Sequence, residues 1–310
     1  MTHKILDAAL IDRLLDGQRI ATCGLGESEL ARLGLVVEDA QAYLEPRLER
    51  LDAQRVQQRL SSRAAALWPR FEVLPQVEST NTYLLQASPS SGLALAAEYQ
   101  FGGRGRRGRE WLSPVARNIA LSMSLRASAD LRGLEGLSLV VGLAVADALA
   151  TAGVRDIALK WPNDLLVNEA KLGGILIELQ PTPVGTLVVM GVGVNYAGAA
   201  CMRAHVAQPL ADVTEAAPQV GRNELLAQLL NSVSDYVMQF DEQGFEGMVD
   251  AWNSLHAYHN RSVQILSGSA TTLGTVLGVT VTGALKLQTQ SGVQEFSAGE
   301  VSLRAAQANS

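Results

Sequence analysis

Apolar positions recur at helical spacing through the first sixty residues, then give way to alternating strand-like and helix-like runs. Ile5, Leu10, Ile11, Leu14 and Leu15 share one helical face, and Gly17 is a stop. Residues 27–33 and 37–44 predict two short helices joined at Gly34, and residues 51–60 predict another. From Phe71 the texture changes. Strands are predicted over 94–99, 119–125, 175–179 and 187–194, with a packed amphipathic helix over 134–152. Two helices follow, near 224–240 and 245–258. Beyond Asn260 come short strands at 263–266, 274–279, 284–289 and 295–296. Turns at Ser267-Gly268, Thr282-Gly283 and Ser291-Gly292 separate them, as in a small β-barrel or sandwich. The pattern divides the chain into a helical unit over 1–62, a mixed α/β (α+β) unit over 63–259 and a β unit over 260–310.

Composition narrows the class. At 310 residues, 47% hydrophobic and 18% charged, the chain reads as ordinary globular protein with room for two or three cores. A net charge of −6 argues against a surface that grips nucleic acid everywhere, so any anion site must be local. Lysines are few, only Lys4, Lys160, Lys171 and Lys286, and two of them fall in the motif-rich middle. Cys23 and Cys201 show neither disulfide nor zinc spacing. Asp7, Asp12 and Asp16 interrupt the N-terminal apolar stretch, which is therefore no signal peptide, and Asp147 interrupts the longest weakly polar run. No membrane span and a cytoplasmic location are expected.

Local chemistry concentrates in Gly102-Gly103-Arg104-Gly105-Arg106-Arg107-Gly108-Arg109, four glycines and four arginines in eight positions. Glycines let a backbone approach a ligand, and guanidinium forks fit phosphate or carboxylate. Composition alone leaves a phosphoanhydride-binding loop and an arginine-rich surface patch equally open. Upstream, Ser79 or Thr80 should cap the helix that begins near Tyr83, leaving other small polar side chains for a ligand. Downstream lie Lys160-Trp161-Pro162-Asn163-Asp164, Lys171-Leu172-Gly173-Gly174, and Gly191-Val192-Gly193-Val194-Asn195. The last lacks the third glycine of a dinucleotide fingerprint. His256 and His259 have no accompanying zincin glutamate and read as a solvated helix end.

These motifs together resemble the bacterial biotin protein ligases, from about Leu51 to Arg304. Glu78-Ser79-Thr80-Asn81, the arginine-glycine run, the two lysine-bearing turns, Gly191-x-Gly193-x-Asn195 and Gly299-Glu300-Val301-Ser302-Leu303-Arg304 stand in that family's order. The resemblance implies a mixed-sheet catalytic domain of class II synthetase type and a C-terminal SH3-like barrel. It implies activation of biotin by MgATP to biotinyl-5′-AMP, then transfer to a lysine of the biotin carboxyl carrier protein of acetyl-CoA carboxylase. On this reading Ser79, Thr80, Asn81 and Gln100 line a biotin pocket, with Gly103, Gly105 and Gly174 offering main chain. Arg104, Arg106 and Lys171 serve both substrates, while Arg109, Trp111, Asn163 and Asn195 face the nucleotide. Arg106, Lys171 and Asp164 are the catalytic candidates, and Asp164 is also the Mg²⁺ candidate. Arg107 is assigned to solvent or a subunit contact. The loop is expected to be mobile until ligand orders it.

The N-terminus departs from the bifunctional members of that family, which carry a winged helix and repress biotin genes. Its predicted second helix offers Glu38 and Asp39 to any DNA groove, and no β-hairpin wing is visible. DNA binding is therefore not expected. The stretch 197–220 also lacks the tryptophan that some members place over adenine. Three alternatives stand beside the ligase: a ligase that also represses, a lipoate–protein ligase on the shared fold, and a plain binding module. An exposed sheet edge could pair two copies or dock the carrier domain.

Overall fold

The computed structural model describes residues 6–22, 24–86, 91–127, 134–267, 270–297 and 301–305. Ile5, Cys23, Gly268, Gly299 and Glu300, which figure in the sequence reading, lie outside the described residues.

The N-terminal unit is not all helix. α1 (Ala8–Leu15) starts where the Asp7 carboxylate accepts the Leu10 N–H at 2.8 Å, and it buries Ile11, Leu14 and Leu15. After β1 (Ile20–Ala21) comes α2 (Glu27–Arg32). The predicted second helix is instead a hairpin of β2 (Val36–Glu38) and β3 (Gln41–Tyr43), in a sheet ordered β1-β3-β2. Asp39 and Ala40 turn it, with φ of 50° and 60°. Both central residues at positive φ is the turn whose twist matches a two-residue hairpin. Adjacent Val36 and Val37 favour that extended backbone over a helix. A β-hairpin is thus present where the sequence pattern shows none, and among the described residues no second helix follows α2 at Gly34. Further on, only Ala53–Gln57 (α3) and Ser62–Leu67 (α4) are helical.

The central sheet has seven strands: β4 (Arg70–Leu74), β5 (Leu93–Ala97), β6 (Asn118–Ala127), β7 (Ile157–Lys160), β8 (Asp164–Val167), β9 (Ala170–Thr182) and β10 (Gly185–Asn195). Their spatial order is β4-β5-β6-β10-β9-β8-β7, parallel only between β4 and β5. α6 (Leu137–Thr151) and α9 (Arg222–Gln243) join the core on one face. α6 is apolar nearly all round rather than amphipathic, because the sheet and α9 enclose it. α5 (Thr80–Gln86) covers the other face. Strand period two sorts the glycine motif: Met190, Val192 and Val194 enter the core, so Gly191, Gly193 and Asn195 point to the α5 side.

The stretch 197–220 carries α7 (Ala199–Met202) and α8 (Val213–Ala216). After α10 (Val249–Ser254), His256 is buried rather than solvated. Its ring lies edge-on to Trp252, with centroids 4.7 Å apart. The last unit is an antiparallel SH3-like sheet of β11 (Ser262–Ser267), β12 (Ala270–Val279), β13 (Leu285–Thr289), β14 (Gly292–Phe296) and β15 (Val301–Ala305), ordered β14-β13-β12-β11-β15. Among the described residues no helix is long and apolar enough to cross a membrane.

Candidate functional site

A cavity of about 540 Å³ opens on the α5 side of the central sheet. Strand β5 delivers the chain to it, and β6 carries it away. The arginine-glycine loop between them forms one wall. α5 and β10 make the floor, the turns around Asn163 and Lys171 the opposite wall, and the segment after α7 the end. Every predicted site residue except Gly103 borders this space. Gly103 is buried beside it: its carbonyl accepts the Trp111 N–H at 2.8 Å, and a side chain there would strike the Trp111 carbonyl. Its glycine serves the loop's own fold.

Ser79, Thr80, Asn81 and Gln100 form a buried polar floor. Gln100 Oε1 accepts the Thr80 N–H at 2.9 Å and the Thr80 hydroxyl at 3.2 Å. Ser122, on β6, places its hydroxyl 2.7 Å from Thr80 Oγ1 and 2.5 Å from Asn81 Oδ1. Asn81 in turn donates to the Glu178 carboxylate at 2.8 Å. Gly191 exists because a side chain would occupy the place of the Asn81 amide.

The cationic wall faces this floor. Arg104 pairs with Glu178, its Nη2 3.0 Å from Oε1. Arg106 is partly buried and donates to Asn163 Oδ1 at 3.4 Å, while Asn163 is itself fixed by donating to the Ile175 carbonyl at 2.9 Å. Burial first, then the positive charges of Arg107 and Arg109, push the Arg106 guanidinium below its usual range, and Asp164 opposes them. A guanidinium keeps its proton regardless. The strain therefore reports a desolvated cation among cations, a place that favours an anion. Arg107, assigned to solvent, is exposed at φ 60° yet also borders the cavity, as does exposed Arg109.

Lys171 and Asp164 form a half-buried pair at 2.6 Å, side chains 16% and 18% exposed. The Lys171 ammonium also lies 5.5 Å from the centre of the Trp111 ring. Trp111 packs against Gly193, where a Cβ would sit 2.7 Å from the indole. Trp161 is buried and donates to the Gly283 carbonyl at 3.1 Å, so it joins the central unit to the last one. Asn195 uses its Nδ2 on the carbonyls of Lys171 and Ala211, at 3.1 and 3.2 Å, and so binds the two walls together. Gly105 and Gly174 border the cavity as expected.

Two groups went unread in the sequence. Ser122 and Glu178 were hidden within apolar strands, although a lone polar residue on a strand's inner face is itself a signal. Met202, Val206 and Leu210 cluster with Leu112 at the cavity's far end and give an aliphatic surface where no tryptophan stands. As for a metal, no group of three or more His, Cys, Asp or Glu among the described residues could cage one. Asp164 and Glu110 are the carboxylates that border the cavity, and Asp164 is already paired with Lys171. Such a donor set fits Mg²⁺ held mostly by a nucleotide's phosphates, with one protein carboxylate in reach.

The chain matches two family models: the biotin/lipoate A/B protein ligase family over residues 73–195, and the biotin protein ligase C terminal domain over residues 258–304. The bifunctional ligase/repressor BirA of Escherichia coli K12 is 37% identical over 238 residues, covering 76% of this chain and 74% of that protein. The biotin–[acetyl-CoA-carboxylase] ligase of Paracoccus denitrificans is 35% identical over 237 residues, covering 74% of this chain and 98% of that one. Among solved structures, the biotin protein ligase from Aquifex aeolicus in complex with biotin and ATP superposes with a TM-score of 0.66 at 29% identity. It covers 76% of this chain and 99% of that chain.

Proposed function

The chain belongs to the biotin protein ligase family, and from that premise we propose how its cavity performs the reaction. It is an ATP-dependent biotin–[acetyl-CoA-carboxylase] ligase. Biotin and MgATP give biotinyl-5′-AMP and pyrophosphate, and the biotinyl group then passes to a lysine of a biotin carboxyl carrier domain. The observation that carries this reading is the pairing of a buried neutral polar floor with a cationic wall in one cavity.

In the first step a carboxylate must meet an α-phosphate, and two anions repel. The work is positioning and charge neutralisation. Thr80, Asn81, Ser122 and Gln100 hold the ureido ring, while Gly174 leaves room for main-chain approach. Arg104, Arg106 and Lys171 gather the carboxylate and phosphate, and Arg109 and Asn163 complete the phosphate side. Asp164 is the carboxylate that would meet the Mg²⁺ of MgATP, an ion that would supply charge neutralisation at the phosphates. Met202, Val206 and Leu210 offer aliphatic contact to the base. In the second step Asp164 takes the proton of the incoming lysine. The reading carries with it a cytoplasmic location.

On this reading DNA binding is not expected. α2 has six residues, and its Arg32 is ion-paired with Glu110 of the ligand loop. α2 also packs against α7, so the helix faces the catalytic unit. A gel shift with biotin-operator DNA and biotinyl-adenylate should show no retarded band; a saturable one would restore the repressor alternative. The ligase reading predicts biotin-dependent exchange of labelled pyrophosphate into ATP, with lipoate inert. Exchange driven by lipoate and not by biotin would assign the other enzyme.

A further inference from the structure

Glu178 sits on β9 with its side chain 24% exposed, behind the polar floor and not among the residues bordering the cavity. A carboxylate is out of place so near a site for two anions unless it has a partner to hold. It holds two: the Asn81 amide at 2.8 Å and Arg104 Nη2 at 3.0 and 3.2 Å. An ionised carboxylate only accepts hydrogen bonds. Asn81 must therefore turn Nδ2 toward Glu178, where it also reaches the Leu176 carbonyl at 3.2 Å. That leaves Asn81 Oδ1 facing the Ser122 hydroxyl at 2.5 Å. At the other end Gln100 Oε1 is taken by the Thr80 N–H and hydroxyl, which leaves Gln100 Nε2 as a donor. Ser122 stands between the two ends and has a single proton to give.

We propose that Glu178 is a positioning residue for biotin. From outside the cavity its charge fixes the direction of the hydrogen-bond chain Asn81–Ser122–Thr80–Gln100, and with it the donor and acceptor pattern the ureido group meets. The inference rests on the biotin ligase reading. A ureido group carries two N–H donors and one carbonyl acceptor, so a floor whose amides can rotate loses the match. Glutamine at 178 keeps the shape but presents either an oxygen or an NH₂, and the Asn81 amide can then reverse. A buried donor facing a donor is left unpaired, and that costs affinity for biotin far more than for a nucleotide.

The test is calorimetric titration of the wild-type chain, Glu178→Gln, Ser122→Ala and the double variant. Biotin is titrated without nucleotide, ATP separately, and melting temperatures are recorded. Glu178→Gln should weaken biotin about tenfold or more, with a smaller loss for ATP and little change in melting temperature. With Ser122→Ala already present, Glu178→Gln should add little, because the chain is cut. Equal losses for biotin and ATP, full additivity of the two substitutions, or unchanged biotin affinity would each overturn the proposal. If Glu178→Gln fails to fold, Ser122→Ala alone must weaken biotin more than ATP, and an unchanged biotin affinity overturns the proposal there too. A wild-type chain that binds no biotin would overturn the ligase reading itself.

Discussion

Arg106 is an electrostatically strained cation of the ligand loop, since burial and two neighbouring arginines oppose its charge while Asn163 fixes its direction. A preorganised cation of this kind acts where negative charge gathers in the transition state. Arg106→Ala should slow adenylate formation on the order of a hundredfold, about 3 kcal/mol of barrier. Arg107→Ala should do far less, since that side chain is exposed at the cavity's edge. Single-turnover rates of the two variants check this, and equal losses would remove the distinction. Gly193 matters for stability in the floor of the same cavity. Its missing Cβ leaves room for Trp111, so Gly193→Ala should displace the indole and cost about 1–3 kcal/mol. Urea unfolding followed by tryptophan fluorescence reads both effects.

Elements show where the sequence was legible. The central strands and α9 stood out because hydrophobic period and burial agree there, whereas α6 stood out by the length of its apolar run. The cavity's residues were legible as well, since charged and glycine-rich motifs sit at strand ends in a fixed order. The hairpin at residues 36–43 was not, because its turn is Asp39-Ala40 rather than a glycine pair, and its strands are only three residues long. The Glu178 contacts were hidden for another reason: they join β9, α5 and the ligand loop across the sheet, which no local pattern records. His256 reads as polar in sequence, but burial against Trp252 and the nearby His259 lower its pKa to about 4. The unfolded chain then protonates first as pH falls, so stability is whole above about 6.5 and lost on the way down to about 4. The loss is at most about 3 kcal/mol. Unfolding free energy measured against pH should decline through that window, and His256→Phe should flatten the decline.

At the scale of the molecule, the ligand loop is tied to all its surroundings. Arg32 of α2 pairs with Glu110, and the Leu33 carbonyl accepts the Val115 N–H at 3.0 Å. Arg117 donates to the Gly34 and Glu45 carbonyls, at 3.1 and 2.5 Å. Val115 and Ala116 are buried in the N-terminal core itself. Beneath the loop's two stems lies a fully buried ion pair: Arg222 meets Glu98 at 2.7 Å and also donates to the Asn118 carbonyl at 3.1 Å. Removing one partner leaves an uncompensated buried charge, so Arg222→Met should destabilise the fold by about 3–5 kcal/mol. The expectation that the loop stays loose until ligand arrives is narrowed by these ties to the tip at Arg106 and Arg107, since both stems are held. Trypsin cleavage there should slow when biotin and MgATP are present. These ties enclose the cavity in which the biotinyl-adenylate is made and kept. Native mass spectrometry of the chain after incubation with biotin and MgATP tests that synthesis most directly. A desalted species carrying the mass of biotinyl-5′-AMP is the predicted result. An unmodified chain, or an adduct that forms with lipoate in place of biotin, would contradict it.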